Sequence, residues 1–279
     1  MGKLANGWAL AKQSANVLML DKQLLIFPLL SGLASLVVLA SFAVPLVWTG
    51  WFAGAKDTPS ADGLFYLALF GFYFTNYFVI VFFNTALVSC ALQSFDGQDP
   101  SVAGGLLAAG RKLPQIAAWA FLAATVGFLL RLLEERLAFV GRLVAGLLGL
   151  AWTVGVAFVV PVLASEDVGP FEAVRRSTEV LKKSWGESIA GNFGIGLLVA
   201  LLGIVALVPG VAGIYFFTLG RVGLGFMYVG ATAVALVLVA MVSSALNTIL
   251  TAALYRYATG GKVPEAFDPE VLARAFVPR

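Results

Sequence analysis

The chain has 279 residues, of which 60% are hydrophobic and only 12% are charged, and its formal net charge is +3. Soluble domains carry about 25% charged residues, so this composition excludes a large soluble domain. Several apolar runs reach the roughly 20 residues that cross the hydrocarbon core as a helix. The expected fold class is therefore all-α, a polytopic transmembrane helical bundle of about six spans over residues 1–279.

The N-terminal 22 residues predict a first interfacial helix, because Leu4, Trp8, Ala11 and Leu18 recur at helical spacing among lysines. The apolar run over residues 24–48 predicts the first span. A cleaved signal peptide is the alternative, but this run exceeds the 7–15 residues of a signal core.

The second predicted span, residues 63–95, is rich in aromatic residues and long enough that it must tilt or project from the bilayer. The sequence from Asp96 to Pro100 ends it, and residues 101–113 form a weaker amphipathic segment. The third and fourth spans are predicted at residues 114–133 and 143–165, joined by a charged hairpin.

Residues 167–187 are the longest polar segment in the interior of the chain, and they predict an amphipathic helix lying on the membrane surface. Asp167 is placed to cap the start of this helix, and Pro170 falls in its first turn. Its apolar face is predicted from residues at steps of three and four: Phe171, Val174, Thr178, Leu181 and Trp185.

The fifth span is predicted to begin near residue 188 and to be interrupted by Pro209 and Gly210. The sixth is predicted at residues 222–257, and residues 259–279 form a polar tail. Most of the 18 Lys and Arg residues fall on the side of the amphipathic segments. The positive-inside rule therefore predicts that both termini are cytoplasmic.

An internal threefold repeat is also predicted, with pseudo-repeats at residues 1–95, 96–165 and 166–258. Each would contain an amphipathic segment followed by two spans, giving three helical hairpins. The Asn-Thr pairs that begin at Asn84 and at Asn247 occupy equivalent positions in the first and third repeats.

Several motifs resemble those of a known group of proteins: DKQLLIFPLLSG at residues 21–32, Phe83 with Asn84, LKKSWG at residues 181–186 and GNFG at residues 191–194. They resemble an uncharacterised family of bacterial multi-pass inner-membrane proteins. More loosely, they are similar to the membrane domain fused to some glycerophosphodiester phosphodiesterases. The resemblance implies a fold and a bacterial inner membrane; it implies no enzyme activity, since the catalytic domain is lacking.

The absence of histidine excludes serine–histidine chemistry and two-histidine zinc motifs. All 15 Asp and Glu residues fall in the N-terminal segment, the connectors or the tail, so aspartyl chemistry at membrane depth is excluded as well. We expect no enzyme activity, no cofactor, no metal and no nucleic-acid partner. Close helix packing is predicted by clusters of glycine and by small residues that recur at every fourth position. These residues are Ala145, Gly149 and Thr153, and Asn192, Gly196 and Ala200.

Three groups of polar residues are candidate sites. A candidate polar cavity comprises Asn76, Asn84, Asn247, Thr248 and Thr251, for which interhelical hydrogen bonding is the alternative. Candidate lipid-headgroup contacts are Arg111, Lys112, Arg175, Arg176, Lys182 and Lys183. A candidate periplasmic charge cluster comprises Arg131, Glu134, Glu135, Arg136 and Arg142, for which a solvated hairpin is the alternative.

These patterns favour a non-enzymatic scaffold or accessory protein that binds anionic membrane lipids or other membrane proteins, with self-association as one form of that role. The alternative is a passive channel or carrier for ions, small solutes or lipids, since no ionisable residue lies at membrane depth to couple transport.

Overall fold

The computed structural model describes residues 3–48, 59–136, 139–260 and 267–268. Within its helices, only the backbone is described at residues 3–7, 59–62, 135–136, 139–141 and 183–194. The described chain is all α-helix and short 3-10 helix, with no strand in these ranges, so the all-α prediction is confirmed.

Nine α-helices are described in chain order. They are α1 (Lys3–Leu20), α2 (Ile26–Trp48), α3 (Pro59–Phe95), α4 (Val102–Arg111), α5 (Leu113–Arg136), α6 (Phe139–Gly155), α7 (Val159–Ser165), α8 (Pro170–Thr218) and α9 (Val222–Gly260). A 3-10 helix at Lys22–Leu25 leads into α2.

Six stretches are long and apolar enough to cross a membrane, as predicted. They are Lys22–Trp48, Gly63–Phe95, Leu113–Glu134, Arg142–Ser165, Ile195–Thr218 and Val222–Gly260. Their charged residues lie near the ends, so no charge needs to be desolvated at mid-membrane. The protein is therefore a multi-pass membrane protein.

Two glycines end helices, Gly97 within the predicted break from Asp96 to Pro100 and Gly220 between the fifth and sixth spans. Gly97 (φ 69°) follows α3 and Gly220 (φ 72°) follows α8, each in the left-handed region that side chains disfavour. The N–H of the next residue reaches back five positions in both cases, from Gln98 to the Gln93 carbonyl and from Arg221 to the Phe216 carbonyl. Both helices thus end in a Schellman cap that satisfies terminal carbonyls.

The polar segment and the fifth span form one continuous helix, which differs from the prediction. Helix α8 runs 49 residues through Pro209 and ends only at Thr218. Neither a separate surface helix nor an interruption at Pro209 is present. The 24 residues of Ile195–Thr218 extend about 36 Å, which suffices to cross the bilayer, so the polar first half of α8 extends outside the hydrocarbon.

The fourth span is broken instead. Helix α6 ends at Gly155 and α7 begins at Val159, with Pro161 in its first turn. Proline has no N–H to donate to a preceding turn, so a break just before Pro161 leaves fewer helical hydrogen bonds unmade than a proline in mid-helix.

The described chain forms two compact units, each described by itself. The terminal unit comprises Met1–Pro28, Ala91–Asp99 and Lys183–Arg279. In it α1 packs against α9, and the 3-10 helix contacts both. The Asp21 carboxylate accepts a hydrogen bond from Ser94, and Asp96 forms an ion pair with Arg256.

Helices α8 and α9 approach closely in the terminal unit. A Cβ on Gly213 would lie 3.1 Å from the Gly225 carbonyl oxygen, and one on Gly225 would lie 2.6 Å from the Phe217 ring. The predicted glycine packing therefore occurs at Gly225, a member of one predicted cluster, and Gly213 packs as closely although it was not predicted to. Gly196, by contrast, is exposed and faces open space, so the predicted packing at Gly196 is wrong; the Asn192 side chain lies outside the described part.

The central unit comprises Leu29–Cys90 and Pro100–Lys182. Aromatic side chains join α3 to α5 through edge-to-face pairs, with ring centroids 5.6 Å apart for Phe70 and Phe121 and 5.9 Å apart for Phe70 and Phe128. Trp119 of α5 stacks on Trp152 of α6 at 5.8 Å. Such pairs contribute about 0.5–1.5 kcal/mol each beyond burial, which gives the aromatic-rich second span a packing role.

Candidate functional site

The strongest concentration of charge in the described central unit lies at the start of α8. We define it as the charged cluster: Lys112, Glu166, Asp167, Glu172, Arg175, Arg176 and Glu179.

Three glutamates surround two arginines within this cluster. Arg176 lies 3.5 Å from Glu166, 3.6 Å from Glu172 and 3.5 Å from Glu179. Arg175 lies 3.9 Å from Glu172 and 3.3 Å from Glu179. Four of these pairs join residues three or four apart on one helix, where side chains meet on the same face. The positive charge of both arginines is thereby offset locally.

Lys112 connects the end of α4 to the segment before α8. Its Nζ donates to the Glu166 carbonyl oxygen at 2.9 Å and lies 3.4 Å from Asp167 Oδ1. Gln115 Nε2 donates to the same Asp167 oxygen at 2.6 Å. The two spans that end here, the third at Leu113 and the fourth at Ser165, are thus linked by hydrogen bonds at the membrane boundary.

The buried face of α8 differs from the predicted one. Phe171 is 76% exposed, whereas Ala173, Ser177, Val180 and Leu181 are buried. Of the five residues predicted for the apolar face, Leu181 is buried as predicted, Val174 and Thr178 are half-buried, and the Trp185 side chain is outside the described part. The buried face combines small residues, which let the helix backbone approach its neighbours closely, with the larger Val180 and Leu181.

Ser177 forms hydrogen bonds to backbone groups at the break in the fourth span. Its Oγ donates to the Gly155 carbonyl at 2.7 Å and accepts from the Phe158 N–H at 3.0 Å. Ser177 is fully buried, so water is excluded from these backbone groups. One side chain of α8 therefore satisfies two backbone polar groups at the break, the Gly155 carbonyl and the Phe158 N–H.

The predicted lipid contacts separate into two kinds. Arg111 and Lys182 are exposed. Arg175 and Arg176 form ion pairs with glutamates, and Lys112 donates a hydrogen bond to the segment before α8. The Lys183 side chain lies outside the described residues.

The residues of the predicted polar cavity belong to both units. In α9, the polar groups bond within their own helix: Asn247 Nδ2 donates to the Ser243 carbonyl at 2.9 Å, Thr248 Oγ1 to the Ser244 carbonyl at 2.9 Å, and Thr251 Oγ1 to the Asn247 carbonyl at 2.7 Å. In the central unit, Asn84 is half-buried and Asn76 Oδ1 is buried without a hydrogen-bond partner among the described residues. A shared cavity remains a prediction.

The predicted periplasmic cluster is only partly described. Arg131 donates to the Tyr73 hydroxyl at 3.2 Å, which links α5 to α3. Glu134 and Arg142 are exposed, and the side chains of Glu135 and Arg136 lie outside the described part.

Three connections escaped the sequence analysis: the Ser177 bridge, the Gln115–Asp167 hydrogen bond and the Asp96–Arg256 ion pair. The last joins residues 160 positions apart. Nothing in the local pattern indicates which partner each side chain meets. Within the described ranges, no group of three or more His, Cys, Asp or Glu residues is arranged to hold a metal ion.

Comparison with known proteins assigns the chain to a family. The sequence profile of DUF6159, a family of unknown function, matches residues 63–265. The chain belongs to the DUF6159 family. The region shared with DUF6159 includes the charged cluster, both Asn-Thr pairs and the broken fourth span, and it leaves out α1 and the first span.

Membership of DUF6159 agrees with the predicted resemblance to an uncharacterised membrane family. The looser resemblance to the membrane domains of phosphodiesterases stays a prediction. No curated protein matches the chain.

Proposed function

We propose that this protein is a non-enzymatic integral membrane protein that acts as a scaffold or accessory protein for anionic lipid or other membrane proteins. The observation that carries the proposal is the division of the described chain into six apolar spans with charges only near their ends, and one charged cluster outside them. This arrangement offers no charged group in mid-membrane for chemistry or coupled transport, but it offers a surface at the boundary.

The lack of histidine in the sequence supports a non-enzymatic role. The positive-inside rule supports cytoplasmic termini, because the basic residues of α1, α4 and the first half of α8 would then share the inner leaflet. The resemblance to a family of bacterial inner-membrane proteins supports the choice of membrane.

We place the lipid contact at Arg111 and Lys182, because Lys112, Arg175 and Arg176 have carboxylate or carbonyl partners. A base close to an anionic leaflet contributes about 1 kcal/mol. An exposed base without a close carboxylate keeps that attraction, whereas one paired with glutamate gives up much of it.

The test is the lipid that accompanies the full-length protein through purification in mild detergent, measured by mass spectrometry. We expect phosphatidylglycerol and cardiolipin to be enriched over the bulk membrane for the wild type. The double variant Arg111→Gln/Lys182→Gln is expected to lose this enrichment. Arg221→Gln removes an exposed base from the α8–α9 connector and serves as the matched control. Equal enrichment in all three proteins would refute the lipid contact.

Self-association is tested by light scattering of the same preparation. The chain has a mass of 29.4 kDa, and a scaffold built from copies of itself should give a whole-number multiple after subtraction of detergent. A monomer would limit the proposal to lipid and other proteins.

One observation favours a second candidate, passive permeation of a polar solute. The buried Oδ1 of Asn76 has no hydrogen-bond partner among the described residues, and such atoms usually meet water or a ligand. Solute flux into reconstituted vesicles that falls in Asn76→Leu, Asn84→Leu and Asn247→Leu would establish this candidate. Flux equal to that of empty vesicles would eliminate it.

A further inference from the structure

Helix α1 has two faces that differ in exposure. Successive residues of an α-helix are rotated by about 100°, since 3.6 residues make one turn. One arc of about 120° holds the buried residues of α1, which are Leu10, Ala11, Ser14, Val17 and Leu18. This arc is turned into the terminal unit, where α1 packs against α9. The face predicted from the sequence, which joined Trp8 to Ala11 and Leu18, is therefore divided between the two sides of the helix.

The opposite arc of α1 is exposed and carries large apolar side chains. Trp8 is 44% exposed, Met19 62% and Leu20 80%. Lys12 and Asn16, both exposed, lie on the same arc, which also covers about 120°. We define these five residues as the outer strip. Apolar side chains with a base between them are typical of a helix that rests at the boundary of headgroups and acyl chains.

The charge on α1 is of one sign. Lys3 and Lys12 are the charged residues in the sequence from residue 3 to residue 20, and Lys22 follows the helix. Lys12 and Lys22 are both exposed. A lysine stem can lie along an apolar surface while its ammonium stays in the polar layer, and a base close to an anionic leaflet is attracted to it. The outer strip therefore matches an anionic lipid surface in both polarity and charge.

The outer strip ends at the membrane boundary. The first span begins at Lys22, two residues after the last residue of α1, Leu20. Two residues cover about 7 Å at most, and the connection is held to the helix, since the Asp21 N–H donates to the Val17 carbonyl at 2.9 Å. Leu20 therefore lies at the level of the lipid headgroups. Trp8, about 18 Å away along the helix, reaches the same level when α1 lies along the surface.

We propose that the outer strip of α1 binds the surface of an anionic leaflet, with its three apolar side chains at the acyl boundary and Lys12 at the headgroup phosphates. A second copy of the chain fits the strip less well, because a two-fold contact centred on it would bring two Lys12 ammonium groups together. The inference rests on the proposed function for the class of lipid, and it adds a contact on a helix that carries neither Arg111 nor Lys182.

The test uses the full-length protein in nanodiscs of phosphatidylcholine and phosphatidylglycerol. Single cysteines carry an environment-sensitive nitrobenzoxadiazole dye in a Cys90→Ala background, and the labelled variants are Trp8→Cys and Met19→Cys. Lipids with a nitroxide near the headgroup report contact with the boundary, and iodide reports contact with water. We expect strong quenching by the nitroxide lipid and weak quenching by iodide at both positions.

Two further positions calibrate the quenching. Asp99→Cys labels an exposed connector on the same predicted side of the membrane and should show the reverse order of quenching. Leu36→Cys labels the first span, where Leu36 is 62% exposed, and should respond to a nitroxide deep in the acyl chains. A measurement without any dye supports the comparison, because the fluorescence lost in Trp8→Phe belongs to Trp8 and should be quenched by the same boundary nitroxide.

The headgroup that carries the nitroxide tests the role of charge. We expect a nitroxide on phosphatidylglycerol to be enriched near the two labels over one on phosphatidylcholine. Lys12→Gln should lower this enrichment about fivefold, the factor that corresponds to one base near an anionic leaflet. Arg221→Gln removes an exposed base on the other predicted side of the membrane and should leave the enrichment unchanged.

Labels at positions 8 and 19 that iodide quenches as strongly as position 99 would overturn the proposal. Shielding from both quenchers would overturn it as well and would indicate a protein contact, and lipid quenching without a phosphatidylglycerol preference would overturn the anionic class of lipid. Water contact at the strip with intact lipid enrichment at Arg111 and Lys182 would leave the proposed function standing. Loss of that enrichment with an intact strip would remove the Arg111 and Lys182 contact alone.

Discussion

Ser177 donates to the Gly155 carbonyl and accepts from the Phe158 N–H, so a single hydroxyl joins α8 to the break between α6 and α7. A buried backbone group left without a partner costs about 1–3 kcal/mol. The same hydroxyl on an exposed position would contribute far less, because water would replace it.

We expect Ser177→Ala to lower the free energy of unfolding in detergent by about 1–3 kcal/mol, because it strands both backbone groups. Thr153→Ala is the control, since the Thr153 hydroxyl is exposed and bonds within its own helix. Thermal unfolding followed by circular dichroism measures both. Equal midpoints for the two variants would show that the bridge does not stabilise the fold.

Arg256 and Asp96 connect the ends of α9 and α3 in the terminal unit, with side chains 34% and 43% exposed. Exposed ion pairs contribute about 0.2–1 kcal/mol because water screens them. A double-mutant cycle of Arg256→Gln and Asp96→Asn should give a coupling energy in that range that falls at high salt. Coupling that is unchanged by salt would contradict the assignment as a surface pair.

At the level of elements, the buried faces of α1, α4 and α8 contain small residues, and in α1 and α8 these lie beside buried Leu10, Val17, Val180 and Leu181. Helix α4 buries Gly105 and Ala109, α8 buries Ala173 and Ser177, and α1 buries Ser14 with Ala11. Large residues of the same helices, Trp8 and Phe171, are 44% and 76% exposed. Small side chains at a contact let helix backbones approach closely, and the aromatic side chains of Trp8 and Phe171 stay exposed.

Ala173 and Phe171 test this division within one helix. Ala173→Leu adds volume to a fully buried position and should lower the free energy of unfolding by about 1–3 kcal/mol. Phe171→Ala removes far more apolar area, yet we expect little change in stability in detergent, since the Phe171 side chain is mostly exposed and loses few contacts within the protein. A larger loss in Phe171→Ala, measured by thermal unfolding, would restore the face predicted from the sequence.

For the whole molecule, the predicted topology assigns each connector between spans to one side of the membrane. Single cysteines at positions 111 and 182 should react with a membrane-impermeant maleimide only after the cells are permeabilised. Cysteines at positions 142 and 221 should react in intact cells. The background is Cys90→Ala, although the native thiol is buried.

Labelling that places positions 111 and 182 in opposite compartments would contradict the even number of spans between them. Reversed labelling of all four positions would keep the six spans and invert the orientation that the positive-inside rule predicts.

The sequence alone determined the all-helical membrane fold and the six spans, because the length and hydropathy of each run are local quantities that the bilayer selects directly. It also located the break from Asp96 to Pro100 that ends the second span. The charged start of α8 was equally visible as a polar segment.

Only the tertiary structure decided which face of each amphipathic helix is buried, that α8 continues through Pro209, and that the fourth span breaks before Pro161. It also decided the pairing of Arg175 and Arg176 with glutamates and the bond from Ser177 to a helix break 19 and 22 residues away. These features depend on which surfaces meet, and a small side chain fits a close contact only where the opposing helix supplies a matching one.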